Sequence, residues 1–337
     1  PSLSTEDINP KAQPLYHKIY KVEGTTIAHH DIFTNGIGYL KLFFDIKSIP
    51  KDLIPYLGIL RQVLGAIDTE RYTYLQLSNI ININTGGISS NIKLYPNLKE
   101  KDNFKVAYEI DIKILYEKLG FAFEIIDEII RTSKIDNKKR LYEIISAIRS
   151  QSKTWIQNSG NMAAVLRSLS YDSAISYYDE IISGLSFYHF IEGLERNFEE
   201  RKEILSEKLK ELMKYVFRPE KMTVSYTSEK EGYLGLEEQI IKFKTKLYTS
   251  NIKEETFEFV PVKLNEGFKT SSSVQYVAQS GHYKDKFLYN GSLKVLKTLL
   301  NYDYLWPNVR EKGGAYGYRC KTKRASGLKG AYSGRAG

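Results

Sequence analysis

Alternation of apolar and polar positions predicts strands in several parts of the chain. From residue 104 to 112, Phe, Val, Tyr, Ile and Ile occupy every second position, with Lys, Ala, Glu and Asp between them. This period of two is typical of a half-buried strand, and segment 83–95 is its expected partner. Segments 25–30 and 38–46 predict two more strands, and the Asn-Gly pair at 35–36 between them favours a hairpin turn.

Apolar residues at helical spacing predict the helices. In the first of these, which begins at Pro50, Leu53, Leu57, Leu60 and Leu64 lie on one face. The predicted helices are 50–65, 74–80, 116–131, 138–158, 172–183, 187–216, 235–247 and 291–302. Pro219 ends the long charged helix, because the residue before proline is disfavoured in the helical region. Strands are expected again at 221–227 and 271–279.

The order of these elements predicts an α+β fold with two related domains, each a mainly antiparallel sheet covered by helices on one face. The length of 337 residues is consistent with two domains. Residues 1–21 are a polar approach segment, 22–218 form the first domain with its long helices, and 219–337 form the second.

Composition narrows the class of protein. The net charge is +9, but six basic residues and no acidic one follow Tyr318, so the first 318 residues carry only +3. A nucleic-acid-binding module is therefore the weaker alternative. A single cysteine, Cys320, excludes an internal disulfide and a thiolate-rich zinc site. No apolar run of membrane-spanning length and no signal-peptide pattern is visible, which favours the cytoplasm, with an organelle as the alternative.

The most unusual stretch is Leu-Trp-Pro-Asn-Val-Arg-Glu-Lys-Gly-Gly-Ala-Tyr-Gly-Tyr at 305–318. Gly313 and Gly314 permit a sharp bend or a close backbone approach. Arg310 and Tyr316 flank this bend, so their side chains could converge on one point. A guanidinium provides rigid donors for a carbonyl, and a phenol can stabilise a developing oxyanion. The structural alternative is a glycine bend with a packed aromatic ring.

Three segments together suggest a family. The motifs at 29–45, 77–89 and 309–318 resemble, in this order, the C-terminal half of the pitrilysin/insulinase zinc metallopeptidases, in the presequence-protease (falcilysin-like) subfamily. The resemblance implies four related α+β domains that form two bowl-shaped halves around a chamber. It also implies that residues 1–21 are the end of the linker between the halves, and that the second domain is truncated here.

The same resemblance implies a zinc site in the other half. The family binds zinc through an inverted H-x-x-E-H motif, and none of the five histidines here has that spacing. At the corresponding positions of the first helix lie Tyr56, Ile59 and Leu60, which cannot replace two histidines and a glutamate. We therefore expect a catalytically silent first domain and no metal in this chain, with zinc held by the absent N-terminal half.

The resemblance implies that the chain is the substrate-binding half of a peptidase acting on unstructured peptides. Arg310 and Tyr316 match the family's Arg and Tyr, and would hold the peptide carbonyl or its tetrahedral intermediate. Gly313 and Gly314 would shape this substrate site, and Tyr318 is a weaker candidate because it shares a strand face with Tyr316. The expected partners are peptides and the zinc-bearing half, without nucleic acid or membrane. The alternative is a non-catalytic peptide-binding or assembly subunit without a zinc site.

Other candidate features have simpler interpretations. His29 and His30 are adjacent in a predicted strand and should point to opposite faces, which suits a metal site badly. The Gly-Gly pair at 86–87 lacks the lysine of a phosphate loop and predicts a bend into a strand. The basic stretch after Tyr318 is expected to be a frayed terminus rather than a surface for RNA or lipid.

Overall fold

The computed structural model describes residues 4–7, 11, 14–97, 100, 103–271, 274–282, 290–323 and 328–336. Its strands are β1 (Lys18–Val22), β2 (Thr25–Asp31), β3 (Ile37–Asp45), β4 (Ile88–Pro96), β5 (Phe104–Leu115), β6 (Met222–Ser228), β7 (Val274–His282), β8 (Gly317–Lys323) and β9 (Leu328–Ala336). Its helices are α1 (Ile54–Val63), α2 (Tyr74–Asn84), α3 (Leu119–Thr132), α4 (Lys138–Asn158), α5 (Gly160–Ser170), α6 (Ala174–Ser183), α7 (Leu185–Arg196), α8 (Phe198–Val216), α9 (Lys230–Tyr233), α10 (Leu236–Lys244) and α11 (Ser292–Leu299). A π-helical segment, Leu300–Glu311, continues from α11. The mixed α/β architecture confirms the predicted fold class.

Six strands form the first sheet in the order β1-β2-β6-β3-β5-β4. All its pairs are antiparallel except β2 with β6. The predicted turn is present: Asn35 and Gly36 both have positive φ, at 53° and 81°, and Ile37 N donates to Thr34 O at 3.2 Å. The predicted hairpin is nevertheless wrong, because β6 lies between β2 and β3. The turn depends only on residues next to each other in sequence. The strand pairing depends on tertiary packing, because β6 buries its Val224 when it lies between β2 and β3.

The two faces of this sheet differ in character. One face packs against the helices, where Phe217 contacts the rings of Phe44 and Tyr108 edge to face at 5.3 and 5.2 Å between centroids. On the other face, Lys41 forms ion pairs with Glu109 at 2.8 Å and with Asp111. Helices therefore cover one face and leave the other polar, as the alternation in β5 predicted.

Several boundaries differ from the prediction. The helix predicted at 187–216 is two helices separated at Asn197 (φ −109°, ψ 32°), and α5 was missed. Helix α2 extends to Asn84, beyond the predicted end at 80, so β4 begins at Ile88. Its start is fixed by a capping box in which Thr73 and Gln76 each bond the other's backbone N–H. In contrast, α4 has the predicted bounds, with the Asn137 side chain accepting from Arg140 N.

The remaining strands form a second sheet in the order β7-β9-β8, with both pairs antiparallel. For residues 319–323 and 328–336 the expectation of a frayed basic terminus is wrong, because β9 pairs with both of its neighbours. Residues 324–327 and 337 of that stretch lie outside the described residues. The boundary expected between 218 and 219 cuts across the first sheet, since β6 follows it. The chain stays in the first sheet's layers through α10, whose Leu236 and Ile240 are fully buried, and Phe257 beyond it still packs edge to face on Phe104 of β5 at 6.0 Å between centroids.

The second sheet lies against α5. A Cβ at Gly160 would be 2.6 Å from the ring of Tyr276 on β7, so glycine is needed for this close approach. Further along the same helix, Ser168 Oγ is 2.8 Å from Ser280 Oγ, and Ser280 Oγ donates to Ser168 O at 2.7 Å. Helix α5 is therefore the element of the first domain that supports β7.

Candidate functional site: the glycine turn

The turn at 312–316 connects the π-helical segment to β8. Its first glycine is required for space, because a Cβ at Gly313 would lie 2.6 Å from Val309 O. Its second glycine, Gly314, has φ +67°, the left-handed conformation common at helix C-termini. Gly314 N donates to Arg310 O and Ala315 N donates to Val309 O, both at 3.1 Å. These bonds close the helix end and reverse the chain toward the sheet.

This reversal brings Arg310 and Tyr316 together. Arg310 Nη1 donates to the carbonyl oxygen of Tyr316 at 2.7 Å. The guanidinium carbon also lies 4.9 Å from the ring centroid of Trp306, one helical turn earlier. The Trp306 indole is held in turn, because its Nε1 donates to Glu311 at 2.7 Å. The arginine is therefore positioned from two sides while its side chain stays exposed.

The charge of Arg310 has no ion-pair partner in the described part of the chain. Among the residues that the structure describes, no carboxylate lies within 4.0 Å of its guanidinium. Only one of its five N–H groups is engaged in a hydrogen bond there, so the others can bind a carbonyl or carboxylate oxygen. An exposed arginine with free donors and a fixed side chain is suited to a polar ligand.

The two tyrosines of the motif have different surroundings. Tyr316 precedes β8, and two thirds of it (67%) is exposed. Tyr318 lies within β8, is half-buried, and packs edge to face on Trp306 with 6.1 Å between ring centroids. Tyr316 is therefore the one whose hydroxyl is accessible to a ligand. The catalytic and substrate-binding roles of all five motif residues remain predictions.

Trp306 was missed in the sequence. Its spacing of four residues before Arg310 was the available signal, since side chains at i and i+4 of a helix are neighbours. Pro307 argues against an α-helix that continues through this segment, so the sequence did not predict that Trp306 and Arg310 are neighbours on one helix. The π-helical backbone of Leu300–Glu311 contains Pro307 and still places the indole under the guanidinium.

The helix α1 does not fit a zinc ion. Ile59 and Leu60 are fully buried in the core, and Tyr56 packs edge to face on Phe190 at 5.1 Å between centroids. None of these side chains offers a ligand that zinc prefers. Over the part of the chain that the structure describes, no group of three or more His, Cys, Asp or Glu side chains is placed to hold a metal. Within those same limits, no helix is both long and apolar enough to cross a membrane.

The other histidine and glycine candidates are structural. His29 is buried, its Nε2 lies 3.1 Å from Ser228 Oγ, and its ring lies 4.7 Å from that of Tyr233. His30 is half-buried and faces the opposite side, toward His17 at 5.8 Å. Burial lowers the pKa of His29. Gly87 has φ +114° and leads directly into β4, as the predicted bend requires.

Comparison with known proteins places these features in a family context. Residues 1–194 match the family model of the domain associated with peptidases of metallopeptidase subfamily 16C. Residues 265–336, which contain the glycine turn, match the family model of the PreP C-terminal domain. Protein HypA of Clostridium perfringens is 39% identical over 97% of this chain and 34% of its own length. Presequence protease 1, chloroplastic/mitochondrial, of Arabidopsis thaliana is 26% identical over 97% of this chain and 30% of its own length.

Solved structures show the same fold at low identity. A conserved protein from Enterococcus faecalis V583 superposes with a TM-score of 0.63 at 13% identity, over 95% of this chain and 75% of that one. The chain spans about a third of the length of the two curated relatives.

Proposed function

Because the chain belongs to the peptidase-associated family of metallopeptidase subfamily 16C, as a C-terminal half, we propose that it is the substrate-binding half of a zinc metalloendopeptidase. In this proposal the full-length protein degrades unstructured peptides inside a closed chamber. The zinc is held by an N-terminal half outside this chain, since α1 offers no ligands. The isolated chain is then expected to hydrolyse no peptide and to bind no stoichiometric zinc.

The observation that carries the proposal is the pairing of Arg310 with Tyr316 across the glycine turn. The arginine bonds the tyrosine's own carbonyl at 2.7 Å, so the two side chains leave the turn from adjacent points. Contact with the Trp306 indole restricts the motion of the Arg310 guanidinium. Preorganised donors stabilise developing charge better than mobile ones.

The two side chains have complementary roles in this proposal. The guanidinium binds a peptide carbonyl and positions the backbone, which affects ground-state binding as well as turnover. The phenol of Tyr316 donates to the oxygen that gains negative charge in the tetrahedral intermediate. Tyr318 would support the site by packing on Trp306 rather than by contacting the substrate.

Steady-state kinetics on the full-length protein with an unstructured fluorogenic peptide tests these roles. Tyr316→Phe removes one hydroxyl and should lower kcat about a hundredfold. Arg310→Ala should lower kcat and also raise KM, because it removes a positioning group. Tyr318→Phe should have a smaller effect than Tyr316→Phe. Zinc content should be unchanged in all three, since the metal lies outside this chain.

Two exposed residues of the same region provide matched controls. Tyr304→Phe removes a tyrosine hydroxyl from the π-helical segment, and Lys312→Ala removes a cation from the turn. Both should retain wild-type kcat/KM. Wild-type kcat/KM in both Arg310→Ala and Tyr316→Phe would show that the turn is only structural. A full-length protein that binds the peptide without cleaving it would favour the non-catalytic alternative.

A further inference from the structure

A pocket of about 420 Å³ lies in the first domain, between α1, α2, α3 and the edge strand β4. Its inner wall is apolar and contains the buried side chains of Ile110, Ile126 and Ile130. Ser78 and Asn82, both exposed on α2, line its mouth. Its size is within the range of small-molecule sites, and its walls are suited to a branched aliphatic group.

One cationic side chain, Arg61 of α1, lines this pocket. Its Nε is buried and makes no hydrogen bond. In the described part of the chain no carboxylate lies within 4.0 Å of it. The carboxylate whose charge acts on Arg61, Asp179, accepts a hydrogen bond from Ser183 Oγ at 2.8 Å. Burial lowers the pKa of Arg61. A guanidinium N–H that is buried without an acceptor is unfavourable, so an anion in the pocket that accepts from the Arg61 Nε would relieve it.

A second buried polar group lies near Arg61. The hydroxyl of Tyr108, on β5, is fully buried and makes no hydrogen bond, although Ser90 lies close by. The charge of Arg61 acts on this phenol and partly offsets the rise in its pKa that burial causes. A guanidinium has only donors and a phenol has one, so both groups can donate to an acceptor that a ligand brings.

We propose that this pocket binds a carboxylate attached to a branched aliphatic group, with the carboxylate on Arg61 and the aliphatic part against the isoleucines. The carboxylate supplies the acceptors that Arg61 lacks, and its planar geometry matches a guanidinium. The ligand is either a free short-chain acid or the C-terminal leucine or valine of a peptide. This site does not depend on the glycine turn or on peptidase activity.

Isothermal titration calorimetry on the full-length protein tests the site with two probes. Isovalerate represents the free acid, and N-acetyl-leucine represents a peptide C-terminus. Isoamyl alcohol and acetate are the ligand controls. The alcohol has the branched aliphatic group without a carboxylate, and acetate has the carboxylate without the branched group. At least one probe should bind, more tightly than either control and more tightly than inorganic phosphate, and the better probe identifies the source of the ligand.

Substitutions assign the binding to Arg61. Arg61→Met keeps most of the side-chain volume, removes the charge, and should weaken binding about tenfold to a hundredfold. Arg61→Lys keeps the charge but not the planar guanidinium, so its affinity for the probe should lie between those of wild type and Arg61→Met. Arg196→Gln, an exposed arginine at the end of α7, is the matched control and should bind like wild type.

Two outcomes would overturn the proposal. One is that neither probe binds, or that phosphate binds more tightly, which would leave Arg61 satisfied by water or by a simple anion. The other is that Arg61→Met binds the probe as tightly as wild type while its circular dichroism and thermal unfolding show a folded protein.

Discussion

Glu180 in α6 is fully buried with an incompletely satisfied carboxylate. Its Oε1 accepts from Ser186 N at 3.0 Å, but its Oε2 makes no hydrogen bond. Arg167 approaches only to 3.5 Å, because its Nε and Nη2 are bound to Glu266 at 2.8 and 2.9 Å. Glycine at 184 leaves the space for Oε2, since a Cβ there would be 1.9 Å from it.

This environment makes folding stability depend on pH. Burial raises the pKa of Glu180 from 4.5 to about 7. Between these two values the folded protein holds a proton that the unfolded chain has released. Stability therefore falls as pH rises through this window and stays lower above it. The difference corresponds to about 3 kcal/mol in the free energy of unfolding, at about 1.4 kcal/mol for each pH unit.

Replacing Glu180 by glutamine removes the ionisation and retains the acceptor for Ser186 N. Urea unfolding at pH 5 and pH 8, followed by fluorescence, measures the effect. At pH 8 the Glu180→Gln variant should be more stable than wild type by up to about 3 kcal/mol, and at pH 5 the difference should largely disappear. Glu199→Gln, which changes an exposed carboxylate beside Lys202, should alter stability by less than about 0.5 kcal/mol at both pH values.

A particular result would refute this reasoning. If Glu180→Gln were less stable than wild type at pH 8, the carboxylate would be ionised and stabilised by Arg167 in spite of its burial. An equal difference at pH 5 and pH 8 would likewise show that the substitution acts through packing rather than through a proton.

Three further substitutions test packing and the glycine turn. Gly38→Ala should destabilise the first sheet by more than about 2 kcal/mol in urea unfolding, because the new Cβ would lie 2.2 Å from Tyr226 Oη; an unchanged midpoint would contradict this contact. Tyr178→Phe should leave stability unchanged or raise it by up to about 1 kcal/mol, since the buried hydroxyl makes no hydrogen bond; a clear loss would reveal a hidden partner. Gly313→Ala should lower peptidase kcat/KM of the full-length protein about tenfold or more, because its Cβ meets Val309 O at 2.6 Å and the turn must shift; wild-type kinetics would show a tolerant turn.

Much of the candidate site could be found from residue order alone. The Arg310, Gly313, Gly314 and Tyr316 spacing identified a bend with two polar side chains, and the structure closes that bend with hydrogen bonds. The indole that holds the arginine could not be found in this way. Its placement depends on a π-helical backbone that contains a proline, and propensity rules for α-helices do not describe that conformation.

The sequence by itself determined the type of most elements, because side-chain periodicity and capping are local properties. Helix α4 and its cap at Asn137, and the turn at 35–36, follow from neighbouring residues alone. Only the tertiary structure decided which strands pair. Strand β6 follows β2 by almost two hundred residues in sequence but lies between β2 and β3 in the sheet, because its buried Val224 and Tyr226 complete the core there. A strand's pattern specifies which face is buried, but its hydrogen-bonding edges are the same for every partner, so pairing order is settled by packing across the whole sheet.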